Sequence, residues 1–185
     1  NRESGLSALA TALTGFAPRW GLHLDRHRVP NIRVNVTAEL RTLADYSILG
    51  DWIGAQAEPG WSMPWGPMPF ILGLEAGMTF AERKALTAAA ANYGTPMLWV
   101  DGVSDDPPLT RSEAEWAPPE GGWQGTLVFD EAALTKRKEE LAPQGTVDLV
   151  VIGCPQASLE EIRLTASAVR AHAEMGARIP GGRLW

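Results

Sequence analysis

Residues 147–161 read Val147-Asp148-Leu149-Val150-Val151-Ile152-Gly153-Cys154-Pro155-Gln156-Ala157-Ser158-Leu159-Glu160-Glu161. The run from Val147 to Ile152 is apolar except at Asp148. Such a run predicts a strand covered on both faces, as in a parallel sheet held between helices. Gly153-Cys154-Pro155 ends it. Ser158 and Glu161 have the spacing of a capping box, which predicts a helix from Ser158 to about Glu174. A buried strand, a short turn and a long helix make half of a βαβ unit.

The same alternation recurs upstream. Ser4 to Phe16 predicts a helix, with Leu6, Leu9, Ala10 and Leu13 on one face and Gly15 as its stop. Trp20 to Leu24 reads as a short extended segment. Ile32, Val34 and Val36 alternate with Arg33 and Asn35, the pattern of a half-buried strand. A long helix is expected from Thr37, carrying Leu40, Leu43, Ile48 and Ile53, with Gly50 as a weak point. Phe70–Leu74 reads as a buried strand. Thr79–Tyr93 reads as a helix opened by a Thr79/Glu82 capping box. Pro96–Val100 and Thr126–Phe129 read as strands, and Asp130–Leu141 as a helix capped by Asp130. Strands alternating with helices imply parallel pairing. The predicted fold is α/β, a three-layer α/β/α arrangement with a largely parallel sheet, as one segment over residues 1–185. Two stretches break the rhythm. Residues 58–69 are rich in proline and carry Trp61 and Trp65. Residues 101–124 are polar and include Asp105 and Asp106. Both read as long loops.

Composition narrows the possible partners. Of 185 residues, 45% are hydrophobic, enough for a core without disulfide support. The net charge is −6, and the densest basic run, Lys136-Arg137-Lys138, is followed at once by Glu139 and Glu140. Nucleic acid and anionic membranes both need a clustered positive face, so neither is expected. No apolar run approaches the ~20 residues of a membrane span. The single cysteine, Cys154, excludes an intrachain disulfide and fits a reducing, cytoplasmic setting. The chain opens at Asn1 and ends at Trp185, just after Gly181-Gly182 deliver new apolar residues. It therefore reads as a piece of a longer protein.

Cys154 follows the predicted buried strand and precedes a helix N-terminus, a setting that favours a thiolate. A phosphatase-type loop would need arginine at position 160, which is Glu160. A nucleophile elbow would need glycine at position 156, which is Gln156. Metal ligation is chemically sensible, but an iron–sulfur centre takes three or four protein ligands. An inert, buried cysteine is the competing reading.

The stretch from Val147 to Ile162 resembles the Asp-Leu-Val-x-x-Gly-Cys-Pro segment of the aconitase X family. Asn1-Arg2-Glu3-Ser4-Gly5, with Ser7 to Ala10 and Thr14-Gly15, is similar to that family's Asn-Arg-Glu-Gly-Gly stretch. Gly21 to Leu24, Gly73-Leu74-Glu75 and the alanine-rich helix over 83–92 also fit. Ser4 stands where glycine is usual, and Gln156 where histidine is common. The resemblance implies a hydro-lyase that dehydrates a small hydroxy acid, with activities in the family on cis-3-hydroxy-L-proline and phosphomevalonate. The first of these is the expected substrate type. It further implies an iron or iron–sulfur centre held in part by Cys154. The other ligands would lie in the rest of the large domain, and the catalytic base on a small swivelling domain or subunit. Arg2 can clamp a carboxylate with its fork of donors. Asn1 and Glu3 can orient the substrate, and His23 is the fourth substrate-binding candidate, though a structural role suits it as well. The rival expectation is a non-catalytic α/β module that binds a small anion at a strand-end crevice, with Cys154 inert.

Overall fold

A computed structural model describes residues 5–24, 27–56, 66–104, 123–145, 150–153 and 157–176. The chain divides into two compact units, Asn1–Gln144 and Gly145–Trp185.

Four parallel strands form the sheet of the first unit: β1 (Ile32–Val36), β2 (Pro69–Leu72), β3 (Trp99–Val100) and β4 (Gly125–Phe129). Their order is β3-β2-β1-β4. Val34 is level with Ile71 on one side and Leu127 on the other, and Ile71 is level with Val100. The helices are α1 (Gly5–Thr14), α2 (Leu43–Ala55), α3 (Phe80–Asn92) and α4 (Glu131–Leu141), with α5 (Leu159–Glu174) in the second unit. The α/β class and the parallel pairing agree with the sequence reading.

Strand alternation decides what packs where. Ile32, Val34 and Val36 point to the face that carries α2, α3 and α4. There they bury with Leu49, Ile53, Ile71, Leu86, Val100, Phe129 and Leu134. Each such side chain, fully removed from water, contributes about 1.5–3 kcal/mol. Trp52 of α2 closes this core against the Phe129 ring, with centroids 5.0 Å apart. Met68, Phe70, Leu72, Met97 and Trp99 form a second cluster, joined by Leu22 and Trp123. Since β4 lies beside β1 and not beside β3, the strand order reverses after β3. Trp123, just before β4, stacks on Phe70 with centroids 6.4 Å apart.

Asn31 fastens the amino edge of the sheet. Its N–H donates to the Met68 carbonyl and its side-chain oxygen accepts the Met68 N–H, both at 2.9 Å. Its carbonyl takes the Gln124 N–H.

Several boundaries differ from the sequence reading. Helix α2 starts at Leu43 and not at Thr37. The N–H groups of Thr37 and Ala38 both donate to the Phe129 carbonyl, so this stretch is spent on the β4 side of the sheet. The cap is Thr42, which forms a box with Asp45. Aspartate in place of glutamate at the third position hid that signal. Gly21–His23 is a single 3-10 turn, closed by Leu24 N–H to Gly21 carbonyl, and not an extended segment. Gly21 sits at φ 60, which starts the turn. Strand β2 stops at Leu72 because Gly73 turns away at φ 89. Strand β3 is only Trp99–Val100. The loop residues 57–65 and 105–122, with Trp61, Trp65, Asp105 and Asp106, lie outside the described residues.

In the second unit, α5 and its Ser158/Glu161 capping box form as expected. Of the strand predicted over Val147–Ile152, residues 147–149 lie outside the described residues, and its described part, Val150–Ile152, is not strand. Residues 150–153 belong to no helix or strand, and Val150, Val151 and Ile152 are 72%, 79% and 52% exposed. A strand buried on both faces needs neighbouring strands and covering helices. Among its described residues this unit offers α5 alone.

Candidate functional site

The carboxyl ends of parallel strands are the usual place for a ligand. Here those ends deliver Thr37, Gly73, Asp101 and Asp130 to one edge. The gap between β1 and β4, where strand order reverses, is closed by the protein's own groups. Thr37 and Ala38 are tied to Phe129, and the Glu39 N–H donates to the Glu131 carboxylate at 2.7 Å. Gly73 lies so close to β1 that a Cβ there would stand 2.2 Å from the Val36 carbonyl oxygen.

The helices that start at this edge are already capped. Asp45 accepts the N–H groups of Arg41 and Thr42 at 3.0 and 2.9 Å. Glu82 accepts the Thr79 N–H at 2.6 Å, and Asp130 accepts the Ala133 N–H at 2.8 Å. These are donors that would otherwise hold an anion. Arg41 is engaged by Glu39 at 2.5 Å, and the hydrogen bond and charge of Arg41 hold the Glu39 carboxyl below its ordinary range. Exposed Glu75 and Asp101 add further negative charge. The edge therefore suits an anionic substrate only if a cation is supplied from elsewhere. This weighs against a module that binds a small anion there unaided.

Of the site residues expected from sequence, His23 alone falls among the described residues. It is exposed at the end of the 3-10 turn, beside Leu22, which packs on the second core cluster. The neighbouring His27 bonds through Nδ1 to the Gly21 carbonyl at 2.9 Å. Asn1, Arg2, Glu3 and Cys154 lie outside the described residues. Gly153, immediately before Cys154, holds φ 106, a backbone state that side chains with a Cβ rarely adopt. Five residues after Gly153, Ser158 caps α5: its Oγ accepts the Glu161 N–H at 3.2 Å and its N–H donates to the Glu161 carboxylate at 2.6 Å.

The sequence reading missed a charged cluster that joins three helices. Arg137 Nε donates to Asp51 at 2.5 Å and a terminal nitrogen donates to the Tyr93 hydroxyl at 3.1 Å. The Tyr93 hydroxyl donates to Asp51 at 2.9 Å. Separations of 42 and 86 residues left no local signal for it. Its work is structural.

The donor set sets a limit on metal chemistry. The chain has one cysteine, and no group of three or more histidine, cysteine or acidic residues among the described residues suits a metal ion. One thiolate fits a single position of an iron centre and cannot hold a cluster alone.

No protein-family model matches the chain. Curated proteins do. Over 172 residues it is 36% identical to the phosphomevalonate dehydratase large subunit of Methanothermobacter thermautotrophicus, covering 92% of this chain and 39% of that protein. The crystal structure of Thermococcus kodakaraensis aconitase X in its holo-form superposes with a TM-score of 0.67 at 28% identity, over 94% of this chain and 41% of that one. The chain is similar to aconitase X in sequence and in fold. The similarity extends to the cis-3-hydroxy-L-proline dehydratase of Pseudomonas aeruginosa, 29% identical over 99% of this chain and 31% of that protein. The chain thus spans about two fifths or less of the length of these aconitase X relatives. Among the described residues no helix is long and apolar enough to cross a membrane.

Proposed function

We propose that the chain forms part of the large domain of a cytoplasmic hydro-lyase that removes water from a small hydroxy acid. The supporting observation is similarity over at least nine tenths of the chain to two dehydratases with different substrates, together with a shared fold. Cys154 supplies one thiolate to an iron or iron–sulfur centre completed by cysteines from the rest of the protein. Such a centre acts as a Lewis acid toward the hydroxyl that leaves. The remaining roles belong to the chain's own side chains. Arg2 clamps the substrate carboxylate with two parallel donors, supplying the cation that the acidic sheet edge lacks. Asn1 and Glu3 orient the substrate beside that clamp, and His23 bounds its pocket. The base that takes the proton lies outside this chain, on a small swivelling domain or subunit. The substrate is of the cis-3-hydroxy-L-proline type, with phosphomevalonate as the competing choice.

The test uses the full-length protein, purified without oxygen. It should carry iron and convert cis-3-hydroxy-L-proline or phosphomevalonate to its dehydrated product. Cys154→Ala should lose iron and lower turnover on the order of 100-fold or more. Undiminished activity and iron content in that variant would remove Cys154 from the centre. No turnover of either acid by iron-loaded protein would overturn the substrate assignment.

A further inference from the structure

Val150, Val151 and Ile152 are three consecutive apolar residues, all more than half exposed. They belong to no strand, although their side chains would alternate between the two faces of one. Helix α5 repeats the problem. Leu159, Ile162, Ala166, Val169 and Ala173 recur at helical spacing along one side, yet the helix has no buried residue. Leu159 and Ile162 are 61% and 53% exposed. Only residues 153–158 separate the two features in the sequence. An apolar stretch of both faces followed by a one-sided helix is the form of a βα unit, which buries its surface only inside a sheet.

The kind of sheet follows from the same residues. A strand apolar on both faces requires pairing on its edges and helices above and below, as in a parallel sheet and not on an open antiparallel edge. The sequence relatives are about two and a half times as long as the aligned part or longer, so they contain the material for such a sheet.

We propose that Val150–Ile152 and the apolar side of α5 dock into a parallel sheet contributed by the part of the dehydratase outside this chain. The surface would then be an intramolecular assembly site. This rests on the reading of the chain as part of a larger dehydratase. It does not depend on iron or on turnover, so the two fail separately.

Hydrogen exchange on the full-length protein tests it. The amides of Val150, Val151 and Ile152 should exchange on the order of 100-fold slower or more in the full-length protein than in the 185-residue chain. The protection should not change with protein concentration. Val151→Lys should abolish it in the full-length protein, while amides of Val34 and Ile71 in the first unit stay protected. Fast exchange in the full-length protein would overturn the proposal. So would equal protection in the 185-residue chain, which would put the partner inside it. Protection that appears only with dimer formation would assign the surface to a second copy.

Discussion

The guanidinium of Arg137 lies 2.5 Å from the carboxylate of Asp51 and fixes α4 against α2. Both side chains are mostly covered, with exposures of 17% and 20%. The Asp51 and Glu140 hydrogen bonds hold the Arg137 pKa well above its ordinary value, so the charge is permanent. Tyr93, at the end of α3, shares both partners. One arginine thus gathers three helices on one face of the sheet. Arg137→Lys keeps the charge but loses the planar fork. The variant should be about 1–2 kcal/mol less stable, measured by urea denaturation. Equal midpoints for the two proteins would show that the cluster carries no stability.

Asp45 predicts an acid-sensitive fold. Burial opposes ionisation of this carboxyl, but the Lys138 ammonium at 2.6 Å and the N–H groups of Arg41 and Thr42 outweigh it, and the pKa is lowered. A carboxyl whose pKa falls on folding adds stability above its unfolded value near 4, and that stability is lost as pH drops through the folded value. Thermal midpoints should therefore be flat above about pH 5 and decline below about pH 4. Asp45→Asn should lower the midpoint at neutral pH by about 1 kcal/mol equivalent and flatten the acid decline. An unchanged acid slope in the variant would assign the decline to other carboxyls.

Glycines mark where backbones meet most closely. A Cβ at Gly50 would lie 2.2 Å from the Leu86 carbonyl oxygen, and one at Gly54 would lie 2.6 Å from the Tyr93 side chain. The position that looks like a flaw in α2 is what lets α3 approach. Gly50→Ala should cost about 1–3 kcal/mol despite the better helix propensity of alanine. Gly73→Ala should cost at least as much, since φ 89 adds strain to the clash with Val36. Chemical denaturation of both variants checks this, and a stabilised Gly50→Ala protein would refute the packing argument.

Arg2 carries the functional prediction. If the full-length protein is the proposed hydro-lyase, Arg2→Ala should raise KM or lower kcat/KM on the order of 10- to 100-fold, with Arg2→Lys recovering only part. Iron content should remain at the level of the parent protein. Unaltered kinetics in the alanine variant would place the substrate carboxylate elsewhere.

Much of the fold was legible because its signals are local. The Thr79/Glu82 and Ser158/Glu161 boxes mark α3 and α5. The alternation of Ile32, Val34 and Val36 marks β1 and its inward face. The Gly153-Cys154-Pro155 segment carried the resemblance that the comparisons bear out. The start of α2 was misplaced because two backbone donors after β1 go to Phe129, a residue more than ninety positions away. The turn at Gly21–His23 was misread because two leucines flanking a histidine fit either an extended segment or a tight turn. Neither distinction exists in a short window of sequence.

By itself the sequence determined the helices and the strands of the first unit to within a few residues, that those strands run parallel, and which family the chain resembles. Periodicity, caps and motif chemistry act over a few residues, so they survive without knowledge of neighbours. Tertiary structure alone decided the order β3-β2-β1-β4, the closure of the β1–β4 gap, and the joining of Asp51, Tyr93 and Arg137. It also decided that Val150–Ile152 stay exposed in this chain. Burial is a property of what packs against a residue, and a run of apolar side chains states only the need for a partner.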